Sequence, residues 1–423
     1  MFTSFSTALS ALNATSTAID VVGNNLANMN TPGFKTSEVD FRDLVTQSLG
    51  SGLGDTQVGF GTGLPTTVAQ FTQGALETTN GLDDAAIQGS GFFVVNDPST
   101  GAIEYTRAGD FQVDKNGNLM TNSGQYVQGW TAINPTTGQV DTTGAIGNIT
   151  IPEGTLQAPV ATTTFSDSMN LNSAANADST SLFTTPVTVY DSLGNSHVLT
   201  LNFQKTGANQ WSYDVTVPGD DVSGGTAGQP FDTGASGTLT FDSSGNLIDP
   251  PPGSPITVNL TGLTDGAADM NLTWNLYSSS GSPLITQFAQ TSASSSNSQN
   301  GAPAAQLYQV SISDGGGIVA EYTNGNKVTV GQIALATVEN PATLVAVGNN
   351  NYQLSSATAT PSIGLPNSGG RGQIVGGSIE NSTTDIATEF TNLIVYQRSY
   401  EANAHVVTTA DQLSQDTINL IRS

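Results

Sequence analysis

Apolar residues recur at steps of three and four at both ends of the chain, forming a narrow stripe at each. Near the start these positions are Phe2, Phe5, Leu9, Leu12, Ile19, Val22 and Leu26. Near the finish they are Ile386, Phe390, Leu393, Tyr400, Val407, Ala410, Leu413 and Leu420. Such spacing puts side chains on one helical face, as in the seam of a coiled coil. It predicts a helix from Phe2 to Ala27, about 39 Å long, and a second from about 384 to 421, about 57 Å long. Neither stripe can be buried within its own helix. Propensity adds little, because nine of the 18 residues from Phe2 to Ile19 are Ser, Thr or Asn, which are mediocre in helix interiors. The first segment is therefore expected to be disordered alone and to order on partners.

Between the ends the pattern changes to short strands. The first helix should stop near Asn28, and Thr31-Pro32-Gly33 suits a type II turn with Pro and Gly at its corners. Gly91 to Val95 reads as a buried strand. Three segments share one turn pattern: Asp114 to Asn118, Asp191 to Asn195 and Asp242 to Asn246, each with Gly fourth and Asn fifth. Asp opens such a turn by accepting from the backbone ahead, and Gly takes the left-handed position. A calcium loop would instead need Gly sixth and Glu twelfth, whereas counting from Asp114 gives Leu119 and Gln125. Ser292 to Pro303 reads as a flexible crossing, and Ser382 with Asp385 as a capping pair for the last helix.

These elements suggest a multidomain chain: coiled-coil-like α-helical termini packed together, plus two nested mainly-β domains. The expected boundaries are 1–30 with 378–423 for the helical domain and 31–72 with 364–377 for an extended arm. A β-rich middle domain takes 73–165 with 286–363, and an inserted β domain takes 166–285.

Charge narrows the partners. Nine Lys and Arg against 34 Asp and Glu give a net charge of −25, which disfavours nucleic acid and acidic membrane surfaces. No cysteine is present, which removes disulfides, thiol nucleophiles and Cys-based metal sites. Met1 to Ile19 has no Lys or Arg and no contiguous apolar run, unlike a cleaved leader, and no stretch is apolar enough to span a membrane. Chemistry is sparsely supplied. The only histidines are His197 and His405, too few for a zinc site, and no nucleophile elbow, Walker loop or dinucleotide fingerprint occurs. No catalytic, cofactor-binding or metal-ligating residue is expected from the sequence. A Ser-His-Asp arrangement stays open, since its members need not be close in sequence.

The stretch Ala27-Asn28-Met29-Asn30-Thr31-Pro32-Gly33-Phe34-Lys35 resembles the N-terminal signature of bacterial flagellar axial proteins, the rod and hook family. The run from Glu389 to Asn403, containing Gln397, Arg398, Tyr400, Ala402 and Asn403, resembles the partner signature at the opposite end. Tyr105 to Phe111 resembles the domain shared by hook and distal-rod proteins. Val187 to His197 resembles the start of the outer domain of hook proteins. The resemblance implies a hook subunit, exported without a cleaved leader through the flagellar type III apparatus. Such subunits stack into a curved hollow tube that acts as a universal joint between rod and filament. It implies as partners other copies of the chain and the distal-rod, hook-cap and hook–filament junction proteins. A distal-rod-like protein is the near alternative, and an acidic secreted β-rich hydrolase or glycan-binding module the distant one.

Overall fold

The computed structural model describes residues 2–44, 46–49, 56–134, 137, 139–151 and 156–422; the side chains of residues 2, 3, 46–49, 56–58, 421 and 422 lie outside the description. The chain divides into two compact units. The first comprises Met1–Glu153, Gln309–Glu321 and Lys327–Ser423, and the second Gly154–Tyr308 with Tyr322–Asn326.

In the first unit the terminal stripes become two helices, α1 (Phe2–Ala27) and α2 (Ile386–Arg422), packed together. They run antiparallel: Asn25, near the end of α1, bonds Glu389 in the first turn of α2. The longer α2 therefore overshoots the start of α1 by about ten residues, roughly 15 Å. The buried face of α1 is made of Ala8, Ala14, Thr15, Ala18, Val22 and Asn25. Small side chains let two helices approach closely, so the intrachain contact uses them in preference to the large residues of the stripe.

Both ends of this helix pair are set by short-range chemistry. After α1 the chain makes the expected Thr31–Phe34 turn, with Phe34 N donating to Thr31 O at 3.2 Å and Gly33 at φ +67°. At α2, Asp385 alone is the cap, its Oδ1 accepting from Thr388 N at 2.9 Å. The expected pairing with Ser382 does not form. Ser382 Oγ instead accepts from Thr384 N, because the helix begins at Ile386, too late for Ser382 to reach its first turn.

The outgoing and returning chains then pair with each other. Ser37–Asp40 lies antiparallel to Thr66–Ala69, Leu76–Thr78 to Ser378–Glu380, and Ala85–Gln88 to Gln373–Gly376. Beyond them Phe92–Asn96 pairs with Ile103–Thr106, Tyr126–Trp130 and Leu335–Thr337. Phe92, Val94, Tyr105, Ala336 and Tyr352 form a core there, with Phe71 against it. The Phe71 ring sits edge-on to Phe92 and Tyr352, at 5.3 and 5.0 Å between centroids, and burial pushes the Tyr352 hydroxyl up to about 12.

The second unit is a β-sandwich. One sheet is an antiparallel meander: Phe183–Tyr190, Ser196–Gly207, Gln210–Pro218, Pro230–Phe241 and Leu247–Asp249. The other contains Ile256–Leu260, Met270–Trp274, Thr164–Asn172, Ile285–Phe288 and Ala293–Gln299. Alternating residues of both sheets fill a shared core around Trp274, which stacks on Phe165 and meets Phe203 and Tyr213 edge-on. The serine-rich stretch from Ser292 to Pro303 is not a loose crossing, because Ala293–Gln299 is a strand along Thr164–Asn172. Its side chains are almost all exposed, so no apolar alternation marked it; its backbone bonds and the Ser294–Asp167 contact hold it.

All three Asp-x-x-Gly-Asn segments take the expected turn. Oδ1 of Asp114, Asp191 and Asp242 accepts from the backbone N–H two and four residues ahead at 2.8–2.9 Å. The fourth-position glycines have φ of +82° to +89°.

Candidate assembly site

Lys35 of the N-terminal signature and Arg107 meet around one buried carboxylate. Glu380, fully buried, accepts at Oε1 from Lys35 Nζ at 2.6 Å and from Gly74 N at 2.7 Å. Its Oε2 accepts from Arg107 Nη1 at 3.2 Å. Lys35 Nζ also donates to Thr72 O, and Arg107 Nη2 to Gly89 O, while the guanidinium lies over the Phe92 ring. Burial pulls the Lys35 and Arg107 pKa values down and Glu380 opposes the fall in both. Gly33 lies against this cluster: its N–H donates to Glu380 O, and a Cβ there would stand 2.5 Å from the Arg107 carbonyl carbon. The conformation and the space both require glycine.

A second buried knot joins the helices. Asn25 Nδ2 donates to Ser37 O and to Glu389 Oε1, and Asn25 Oδ1 accepts from Ser37 N. Thr384 Oγ1 closes the knot on Asn25 O. Glu389 Oε2 is buried without a hydrogen-bond partner. Burial raises the Glu389 pKa, with Glu38 and Asp385 adding to the rise and the Asn25 bond opposing it.

The signature residues divide by end. At the N-terminal signature, Ala27 closes α1, Asn28 Oδ1 accepts from Thr31 Oγ1, Phe34 O accepts from Thr383 N, and Asn30 is exposed. At the C-terminal one, Gln397, Arg398, Tyr400 and Ala402 face solvent, and Asn403 Nδ2 bonds back to Ser399 O. Of the predicted stripe on α1 only Val22 is buried. Phe5 and Leu9 are exposed, Leu12, Ile19 and Leu26 half-buried, and the Phe2 side chain lies outside the described residues. On α2, Ile386, Phe390, Tyr400, Leu413 and Leu420 are exposed, while Leu393, Val407 and Ala410 are half-buried. The first unit thus carries long helical faces of large apolar residues that it does not cover itself.

Glu380, Asn25 and the roles of Arg107 and Glu389 are not foreshadowed in the sequence pattern. The last two lay within recognised stretches. Glu380 carried no signal, being one acid 345 residues from the Lys35 it pairs with.

His197, in the second unit, also has unforeseen neighbours. Its Nδ1 lies 2.9 Å from Asp221 Oδ2, and its Nε2 lies 3.2 Å from Asp191 Oδ2 and 3.5 Å from Asp265 Oδ2. Burial lowers its pKa, but the bonds to Asp221 and Asp191 and their charges outweigh that and raise it overall. Asp191 is held down at about 2: burial raises it, and the contact with Asp265, the turn amides and His197 more than reverse this. Asp191, His197 and Asp265 present their ligand atoms within 4.8 Å of one another; the imidazole and carboxylates already bond each other, the geometry of an ion cluster.

Paired, outward-facing terminal helices on nested β units define a subunit of an axial assembly. The family comparisons agree along the chain. Residues 5–35 match the flagella basal body rod protein family, and 86–164 the flagellar hook protein FlgE/F/G D1 domain. Residues 156–302 match the flagellar basal body protein FlaE D2 domain, and 375–420 the flagellar basal body rod FlgEFG protein C-terminal family. The chain is 35% identical over 431 residues to the flagellar hook protein FlgE of Salmonella typhimurium, covering 99% of this chain and 100% of that one. It is 33% identical to that of Escherichia coli, covering 98% and 99%. The crystal structure of Helicobacter pylori flagellar hook protein FlgE2 shares the fold at 16% identity, with a TM-score of 0.52, over 71% of this chain and 99% of that one. The chain belongs to the flagellar hook protein FlgE family, a structural and non-enzymatic family of the extracellular hook.

Proposed function

We propose that many copies of this chain stack into a curved tube, with the terminal helices (1–30 and 378–423) as its core and the β domains outside. The tube transmits torque from rod to filament while bending. One observation carries the reading: the large apolar faces of α1 and α2 are left open by the subunit's own fold. Covering them with neighbouring copies supplies hydrophobic stabilisation that the single chain lacks. The acidic, Gly-, Ser- and Asn-rich β surface suits wet, exchangeable contacts, which bending requires of subunits that slide past one another. Distal-rod, hook-cap and hook–filament junction proteins are the proposed neighbours at the tube's ends, and the flagellar type III apparatus the export route. Leu413→Asp is expected to abolish tubes in electron micrographs while both β units keep their wild-type unfolding transitions. Full-length tubes from that variant would refute the helical seam as the assembly interface.

A further inference from the structure

Glu389, whose Oε2 is buried without a hydrogen-bond partner, lines a cavity of about 420 Å³ where α1, the Ser37–Asp40 strand and α2 converge. Glu38 and Asp385 also line it, so three carboxylates border one opening with no cationic side chain among the described residues that line it. A buried acceptor without a donor is costly and rare in folded proteins. The chain has few cations to offer. Lys35 and Arg107 hold Glu380, Lys205 bonds backbone carbonyls, Lys327 pairs with Glu321, and Arg371 holds the Leu365 carbonyl. Among the described residues only the Arg42, Lys115 and Arg398 side chains have no ion pair or hydrogen bond. Arg398 is exposed on α2, nine residues after Glu389. Nine residues are about 900° of rotation, so Arg398 points away from the cavity, roughly 13 Å further along the same helix.

We infer that Arg398 of one copy enters the cavity lined by Glu38, Asp385 and Glu389 of the next. This rests on the tube reading and deepens it. The two halves lie on opposite sides of one helix, so the contact is head-to-tail and propagates, as an open helical assembly requires. A guanidinium suits the cavity because its planar fork can serve two carboxylate oxygens at once.

The test is assembly of purified full-length chains, read as the critical concentration for tubes. A lost charge-assisted contact predicts a rise of about ten- to a hundred-fold for Arg398→Gln, and a similar rise for Glu389→Gln, which keeps an acceptor for Asn25. Arg42→Gln is expected to stay within about two-fold of wild type by the same arithmetic. Because the natural chain has no cysteine, tubes built from a mixture of Thr388→Cys and Glu401→Cys chains should form 388–401 disulfides between copies. Unfolding curves establish that each variant is folded. Arg398→Gln tubes at the wild-type concentration, a loss carried by Arg42→Gln instead, or no cross-link in well-formed tubes would each overturn the inference. Wild-type chains that form no tube would overturn the tube reading itself.

Discussion

Replacing Glu380 by Gln tests whether the buried ion cluster ties the two ends of the chain to the β region. Among the described residues Glu380 is the one carboxylate paired with both Lys35 and Arg107, and it also accepts from Gly74 N. Glutamine keeps the shape and one acceptor but leaves two buried cations without a counter-charge. Breaking a buried pair typically costs about 3–5 kcal/mol. Lys35 can relieve part of this by shedding its proton, since burial already pulls its pKa down; Arg107 cannot. For a unit of this size, each kcal/mol lowers the melting temperature by about 2–4 °C, so the first unit should melt roughly 6–20 °C lower. Differential scanning calorimetry should show that shift with the second unit's transition in place, because that unit has its own core. A first-unit transition within about 1 °C of wild type would refute the reasoning, since so small a shift is the scale of a solvent-exposed pair and not of a buried one.

Gly33→Ala forces an L-residue to φ +67° and drives a methyl against the Arg107 backbone; the same calorimetry should show a loss of more than about 1 kcal/mol in the first unit, and a neutral result would mean that the turn can move away. The second unit should have a plateau of stability in pH. Asp191 is depressed, so its contribution is present above its ordinary 3.8 and lost as pH falls towards about 2. His197 is raised, so its contribution is present below its ordinary 6.5 and lost as pH climbs through its higher folded value. Facing only the carboxylates of Asp191, Asp221 and Asp265 among the described residues, it should dominate the upper limb. Melting followed by Trp211 and Trp274 fluorescence should lose that limb in His197→Gln, and an unchanged limb would remove His197 from the account.

Much of this architecture was legible in the chain. The three-and-four spacing locates both helices because their apolar residues, though partly uncovered here, still obey helical geometry. The repeated Asp-x-x-Gly-Asn turns could be read because one side chain and one glycine fix each locally. What stayed hidden was non-local. Asn25 and Glu389 meet across 364 positions, and Lys35 and Glu380 across 345, with nothing nearby in sequence to mark the pairing. The alanine face of α1 was hidden for another reason: a hydrophobicity pattern favours large residues, whereas close helix approach selects small ones. The serine-rich strand was hidden because its stability lies in backbone bonds that composition does not register.

If the assembly reading holds, the terminal helices keep their order through contacts with other copies. Hydrogen exchange read by mass spectrometry, on dilute subunits and on assembled tubes, tests it most directly. Rapid exchange is expected across α1 and across α2 beyond Tyr400 in the dilute chain, with strong protection of both in the tube and a β sandwich protected in each. Full protection of both helices in dilute, solitary subunits would contradict it.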